Sequence, residues 1–268
     1  TYQSDGSGKF SENELPEDLV SEVDGLHSEL IEYVAESDDS LLEKYFEQGN
    51  LTEEEMRGGI HDAIQNQVFI PMFCISAENN IGVARLCDFI AKYGASPDDR
   101  KTVKAIDLNE EEIHISLDGE ETVIQIFKTM AESHVGELSL FRVYSGSVKT
   151  GSDLFNTNRN SSERMGQLFI LNGKNRTQID QVSAGDIGAV VKLKDTHTGN
   201  TLCSGDRVKM PKLNLPNSNI HAAIISTTKG DEEKLAIGLS TLHEEDPTFI
   251  YRVDSEIRQT IISGQGEL

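Results

Sequence analysis

Leu19, Val23, Leu26, Leu30 and Val34 recur at three- and four-residue spacing, which lays one apolar stripe along a polar segment. The spacing predicts an amphipathic helix over 16–37, with Pro16 suited to its first turn. A second short helix is expected over 40-SLLEKYFEQ-48, stopping at Gly49. A third starts at Thr52, where 52-TEEE-55 is a capping-box pattern in which the Thr hydroxyl and the Glu55 carboxylate satisfy orphan backbone amides. Met56, Ile60 and Ile64 share a face of that helix, and Gly58 and Gly59 weaken it.

The period then changes. The run 68-VFIPMFCI-75 has strand length and no polar residue, and it reads as a strand buried on both faces, with Pro71 marking an irregularity. A loop, 76-SAENNIG-82, leads to a helix over 83–94 with Val83, Leu86 and Ile90 on one side. The polar 97-PDDRK-101 marks a boundary.

From 101 to 216 the texture is short apolar alternations. Strands are expected at 122–130, 137–146, 153–157, 163–171 and 187–193. Turns fall at Ser145-Gly146, Thr150-Gly151, Asn172-Gly173 and Thr198-Gly199. Evenly spaced strands with Gly turns point to a closed barrel or a sandwich. Beyond 214-NLPNSN-219 the order becomes strand 220–227, helix from Asp231 to about His243, then strands 248–253 and 259–263. Leu235, Leu239 and Leu242 give that helix its apolar face. This β-α-β-β run opens a ferredoxin-like fold. The under-covered sheet is expected to be mobile or to pack on a neighbour.

Composition narrows the classes. The net charge of −22 over 268 residues excludes a general nucleic-acid-coating protein. The charge is uneven: −16 over residues 1–100, −4 over 101–150, +3 over 151–216 and −5 over 217–268. An RNA-facing surface therefore belongs to the mildly basic segment. The apolar runs are too short for a bilayer. Cys74, Cys87 and Cys203 are odd in number and irregularly spaced, so they form neither a disulfide framework nor a zinc site, and a reducing cytosol is expected. Cys74 and Cys87 are expected to be small buried hydrophobes, and Met56 and Met165 to be core.

The candidate chemistry is sparse. A phosphate loop needs G-x-x-x-x-G-K-[ST]; the lookalike 6-GSGKF-10 lacks the first glycine, and Phe10 replaces the magnesium-binding hydroxyl. Neither Asp-x-x-Gly nor Asn-Lys-x-Asp is present as a nucleotide motif. The Glu runs at 53–55, 110–112 and 244–245 read as solvated faces. The histidines suggest no catalytic or metal arrangement.

In order, the segments 30-LIEYVAESDDSLLEKYFEQGNLTEEE-55, 72-MFCISAENNIGV-83, 127-FKTM-130, 140-LFRVYSG-146, 163-ERMGQLF-169, 184-AGDIGAVVKLKDTHTGNTL-202, 244-EEDPTF-249 and 260-TIISGQGEL-268 resemble elongation factor G, a bacterial translational GTPase family. The resemblance implies a fragment of a divergent paralogue with a multidomain α/β plus all-β architecture. Residues 1–66 resemble the acidic helical insert of the GTPase domain, and 67–100 its C-terminal strand, loop and helix. Residues 101–216 resemble the β-barrel domain II, and 217–268 the start of a truncated, ferredoxin-like domain III. Asn200 stands where Asp is common in the family, and Gln265 where Met is common.

The resemblance also implies roles. Ser76 and Ala77 match the loop whose backbone amides reach guanine. GTP or GDP with magnesium is implied for an intact protein that moves tRNA and mRNA through the ribosome. This chain, without the phosphate grip, is expected to be inactive and to carry no metal or catalytic residue. Partners implied are ribosomal RNA and ribosomal stalk proteins, in the cytoplasm, with no membrane and no DNA. Arg142, Lys149, Arg159, Arg164, Lys174 and Arg176 are the candidate RNA contacts on or between barrel strands. Two alternatives stay open: another ribosome-binding GTPase, of the ribosomal protection or release type, and a non-enzymatic ribosome-binding module.

Overall fold

The computed structural model describes residues 1–132, 136–226, 228, 230–256 and 259–266. The chain forms two compact units, Thr1–Asp99 and Arg100–Leu268.

In the first unit the helices are α1 (Glu17–Ala35), α2 (Asp39–Gln48), α3 (Glu53–Gln65) and α4 (Val83–Tyr93). Local chemistry sets their ends. The Asp38 carboxylate caps α2 by accepting from the Ser40 and Leu41 amides at 2.9 and 3.2 Å. Gly49 stops α2 in the left-handed region. The capping box of α3 is complete: the Thr52 hydroxyl accepts from the Glu55 amide, and the Glu55 carboxylate accepts from the Thr52 amide at 2.9 Å. Gly59 has a packing role, because a Cβ there would lie 2.4 Å from the Val34 Cγ1. It lets α1 and α3 approach, which offsets its poor helix propensity.

Only the C-terminal part of the α1 stripe is covered. Ile31, Val34 and Ala35 join Leu51 and Ile60 in a core, with Met56, Phe89 and Tyr93 packed against it. Leu19, Val23 and Leu26 are exposed, because α2 and α3 pack only against the later turns of α1.

The run 68–75 corrects the strand expectation. It has no strand ladder; Val68, Ile70 and Met72 are 68%, 85% and 90% exposed. A buried strand needs pairing partners on its edges, and the described residues provide none for it. Cys74 and Cys87 are exposed as well, contrary to the expectation of burial. Of the predicted face of α4, Ile90 points outward, and Phe89 and Tyr93 do the packing. Phe89 stacks edge-on against Phe73, with centroids 4.7 Å apart.

The second unit opens with a hairpin, β1 (Thr102–Ile106) and β2 (Glu112–Ser116), in the acidic stretch where the hydrophobic pattern suggested no strands. An antiparallel sheet follows, built from β3 (Val123–Glu132), β4 (Gly136–Ser145), β6 (Asp153–Asn156), β7 (Ser161–Arg164), β8 (Leu168–Asn172), β9 (Asn175–Ile179), β11 (Ile187–Val191) and β12 (Thr201–Cys203). Its order is β7-β6-β12-β3-β4-β11-β8-β9. A short hairpin pairs β5 (Ser147–Lys149) with β10 (Gln181–Ser183).

Twelve buried residues from around this sheet meet in one core, among them Ile124, Ile126, Phe141, Val143, Leu154, Met165, Leu168 and Leu202. Leu154 lies near one end of the strand order and Leu168 near the other, so the sheet curls round on itself like a barrel wall. Among the described residues no ladder joins the two ends. Backbone bonds between Gly151 and Met165 and between Met165 and Ser152 extend the β6–β7 pairing beyond Arg164. The predicted single strand 163–171 is two strands, broken at Met165–Gln167 where the wall turns. All four predicted turn glycines, Gly146, Gly151, Gly173 and Gly199, have positive φ. At Gly146 a Cβ would also sit 2.8 Å from the Glu121 carbonyl oxygen.

The last part is β13 (Ile220–Ile224), α5 (Glu232–Glu245), β14 (Ile250–Asp254) and β15 (Gln259–Gly264), with the strands in the order β13-β15-β14. Leu239 and Phe249 are buried, but Leu242 is 48% exposed. Hollows of about 480 and 380 Å³ are lined by the apolar residues of this sheet and of α5.

Candidate functional site

The loop Ser76–Ile81 precedes α4 and is closed on itself. The Ser76 and Ile81 backbones exchange hydrogen bonds of 3.0 and 2.9 Å, and the Asn79 side-chain amide donates to the Ser76 hydroxyl at 3.0 Å. Gly82, in the left-handed region, turns the chain into the helix. The Ala77 residue is exposed, and its N–H has no partner among the described residues. The loop also holds the N-terminal turn: the Asn80 side-chain amide donates to the Gly6 carbonyl, and the Arg85 guanidinium lies 4.6 Å from the Phe10 ring.

The six basic candidates do not form one patch. Arg159 chelates Asp195 with bonds of 2.9 and 2.6 Å, and Arg164 faces Asp153 across the β6–β7 ladder at 3.5 Å. The Arg159 guanidinium holds the Asp195 carboxyl below the usual carboxylate range. Arg142 lies on the outer side of β4, its guanidinium 5.6 Å from the Tyr144 ring. Lys149 ends β5, Lys174 lies in the β8–β9 turn and Arg176 stands opposite Leu171. Arg142, Lys149, Lys174 and Arg176 place positive charge on different strands and turns of the second unit.

Sequence reasoning missed a buried polar knot behind Arg159. Asn156 is fully buried, and its amide donates to the Thr196 hydroxyl and the Asn200 side-chain oxygen, both at 2.9 Å. Its own side-chain oxygen accepts from the Asn158 and Arg159 amides. The buried Glu163 carboxylate accepts from the Lys194 and Asp195 amides and from the Thr196 hydroxyl. Each bond spans 31 to 44 residues of sequence except the local Asn156 turn, so no short motif announces them. Asn200 uses its side-chain oxygen only as an acceptor, from Asn156 and from the His197 amide. A carboxylate could do the same, so Asn at this position preserves the loop geometry.

The knot supports a junction between the curled sheet and α5. The Glu244 carboxylate meets the His197 Nδ1 at 2.9 Å and accepts from the Thr198 amide at 3.3 Å. Glu245 accepts from the Ala131 amide at 2.6 Å, and its carbonyl accepts from the Lys128 ammonium at 2.5 Å. The Glu244-Glu245 pair, read from sequence as a solvated face, is thus a set of half-buried contacts between elements. Gln265 likewise ties down the connecting segment, donating to the Pro216 and Asn217 carbonyls at 3.1 and 2.5 Å. No group of His, Cys, Asp and Glu suited to a metal ion occurs among the described residues. No helix among them is long and apolar enough to cross a membrane.

The comparisons with known proteins agree with this architecture. The family model described as elongation factor G domain 2 matches residues 121–205, and that described as Elongation Factor G, domain III matches 215–268. A crystal structure of a protein from Thermus thermophilus is similar, with a TM-score of 0.81 and 27% identity, over 97% of this chain and 37% of that one. The curled sheet followed by the α+β segment is therefore a translation-factor pair of domains. With the two family models together spanning more than half of the sequence, the chain belongs to the elongation factor G family. It spans 37% of the length of the Thermus thermophilus protein.

Proposed function

We propose that the chain serves as the relay of an elongation factor G-like GTPase, carrying nucleotide state from a GTP-binding domain to domains that engage the ribosome. The observation that carries this reading is the Glu244-Glu245 junction, which couples the domain 2 sheet to the domain III helix through backbone amides and His197. A relay needs such a stiff contact, because displacement passes between bodies only through elements that move together.

In this reading residues 1–66 are the acidic helical insert of the GTPase domain and dock on ribosomal stalk proteins. Residues 67–100 are its last strand, loop and helix. The exposed run 68–75 is then covered by neighbouring strands of that domain, which accounts for its apolar character. Residues 101–216 and 217–268 complete the relay. Ser76 and Ala77 fit a guanine contact, since the unpartnered Ala77 amide can donate to a base carbonyl. GTP with magnesium would supply the triphosphate whose hydrolysis drives the cycle. This chain's part is to help hold the base; it has neither a complete phosphate-loop motif nor Asn-Lys-x-Asp, and its single Asp-x-x-Gly tetrad, 5-DGSG-8, stands without them.

Arg142, Lys149, Lys174 and Arg176 contact ribosomal RNA phosphates in this proposal. Co-sedimentation with ribosomes tests it. Binding that weakens with added salt, and weakens further in the Lys149→Gln/Lys174→Gln variant, supports the reading. Ribosome binding indifferent to these changes overturns the assignment of the basic residues, and no binding at all overturns the relay as a ribosome-contacting part.

A further inference from the structure

A second surface of the same unit has a different chemistry. Between the β1–β2 hairpin and the segment 210–214 runs a cleft of about 680 Å³. Its floor holds Gln125 and Tyr144, and its rim holds Arg100, Lys104, His114 and Lys212. Strand alternation explains the grouping. Val103 and Ala105 turn toward the core beneath the hairpin, so Thr102 and Lys104 turn outward, and His114 stands directly opposite Lys104 in the antiparallel register. The far wall is fixed in place, because the Gln125 side-chain amide donates to the Pro211 carbonyl at 3.0 Å.

No residue lining the cleft is acidic. Lys104 pairs with Glu112 at 2.9 Å, while Arg100 and Lys212 have no ion-pair partner among the described residues. In a chain of net charge −22, a concave site with two unneutralised cations and a third on its wall is a marked local reversal of sign. Tyr144 adds a half-buried ring to the floor, with the Arg142 guanidinium 5.6 Å from its centroid. Cations tracking a groove around an aromatic face suit a flexible chain of phosphates and bases.

We propose that this cleft binds single-stranded RNA: Arg100, Lys104 and Lys212 hold the phosphodiester backbone, and a base packs on Tyr144. A duplex fits less well, since its bases are already stacked and cannot reach a ring at the bottom of a groove. None of the four basic residues assigned to ribosome contact lines the cleft, and only Arg142, beside Tyr144, borders it, so the Lys149 and Lys174 assignment can fail without the cleft's.

Fluorescence anisotropy of a short fluorescein-labelled oligouridylate, titrated with the full chain at low and moderate salt, tests the proposal. Saturable binding is expected, with affinity falling as salt rises. The Arg100→Gln/Lys104→Gln/Lys212→Gln variant should bind at least about tenfold more weakly and with a salt slope reduced by roughly two to three. Tyr144→Leu should weaken binding about fivefold or more while leaving the salt slope unchanged. The Lys234→Gln variant, changed at an exposed position on α5 away from the cleft, should bind the oligonucleotide as the parent does. Circular dichroism on each variant confirms that the sheet is retained; Lys212→Gln alone, outside any strand, gives the same directional result if the triple variant loses its fold. Absence of binding at low salt, full affinity in the groove variants, equal loss in the Lys234 control, or tighter binding of duplex RNA overturns the proposal.

Discussion

The curled sheet of domain 2 and the three-stranded sheet of domain III are both antiparallel, and both show apolar alternation in sequence. Their burial differs sharply. Ile124, Ile126, Phe141, Val143 and Leu202 are fully buried in the first. In the second, Ile220, Ile250 and Val253 are exposed, Val253 by 75%, and hollows remain beside the strands. Alternation specifies which side of a strand is apolar, but burial needs a second layer. The larger sheet supplies its own layer by curling; the smaller one has α5 alone.

The largest expected effect that tests this contrast is in the core. Phe141→Ala should destabilise the domain by about 3–5 kcal/mol, since the ring is enclosed on all sides and its loss leaves a cavity. Val253→Ala should change stability by no more than about 0.5 kcal/mol. Chemical denaturation of both variants checks the difference. Equal losses would mean that the smaller sheet is covered in solution.

The next effect concerns the junction. Glu245→Ala removes the acceptor for the Ala131 amide, and Glu244→Ala removes that for Thr198. Each should cost about 1 kcal/mol, the net value of one such bond. Hydrogen exchange should report faster amide exchange at Ala131 and Thr198, with Phe141 and Val143 unchanged. Faster exchange throughout the curled sheet would show that α5 helps to hold the wall closed.

The smallest effect lies in the helical unit. The hydrogen bond from Lys44, followed by those from Thr52, pulls the Glu55 carboxyl from its ordinary range to about 2. A depressed carboxyl stabilises the fold above its unfolded value and loses that contribution as pH falls through the folded one. The capping box should therefore persist to about pH 2–4. Carbon NMR titration of the Glu55 carboxyl checks this; Lys44→Met should raise the midpoint. An unmoved midpoint would assign the shift to the Thr52 cap alone.

These contrasts explain what could be read in advance. The helices, the capping box and the turn glycines were legible because their signals are local: a hydroxyl three residues before a carboxylate, or a glycine where φ must be positive. The β1–β2 hairpin was hidden because its outward positions are charged and its turn is acidic, so the two-residue period was lost among carboxylates. The run 68–75 misled in the other direction, since apolar content alone cannot create pairing partners. At the candidate sites, Ser76 and Ala77 were reachable through family likeness. The roles of Asn156, Glu163 and Glu244 depend on partners that lie 31 to 47 residues away, which single-sequence patterns do not record. The cleft was missed for a related reason: its cations come from residues 100–104 and 212, ends of the segment that meet only when the hairpin folds back.

The junction glutamates have one more consequence. Glu245 and one oxygen of Glu244 engage main-chain N–H groups, at Ala131 and Thr198. Every amino acid except proline offers that same donor. The sheet's side of those two bonds can therefore change side chain freely, whereas the helix's side needs an acceptor oxygen at the reach of glutamate, which glutamine alone also supplies. Mutational scanning should find a lopsided hinge, tolerant at 131 and 198 to all but proline and intolerant at 244 and 245 to all but glutamine.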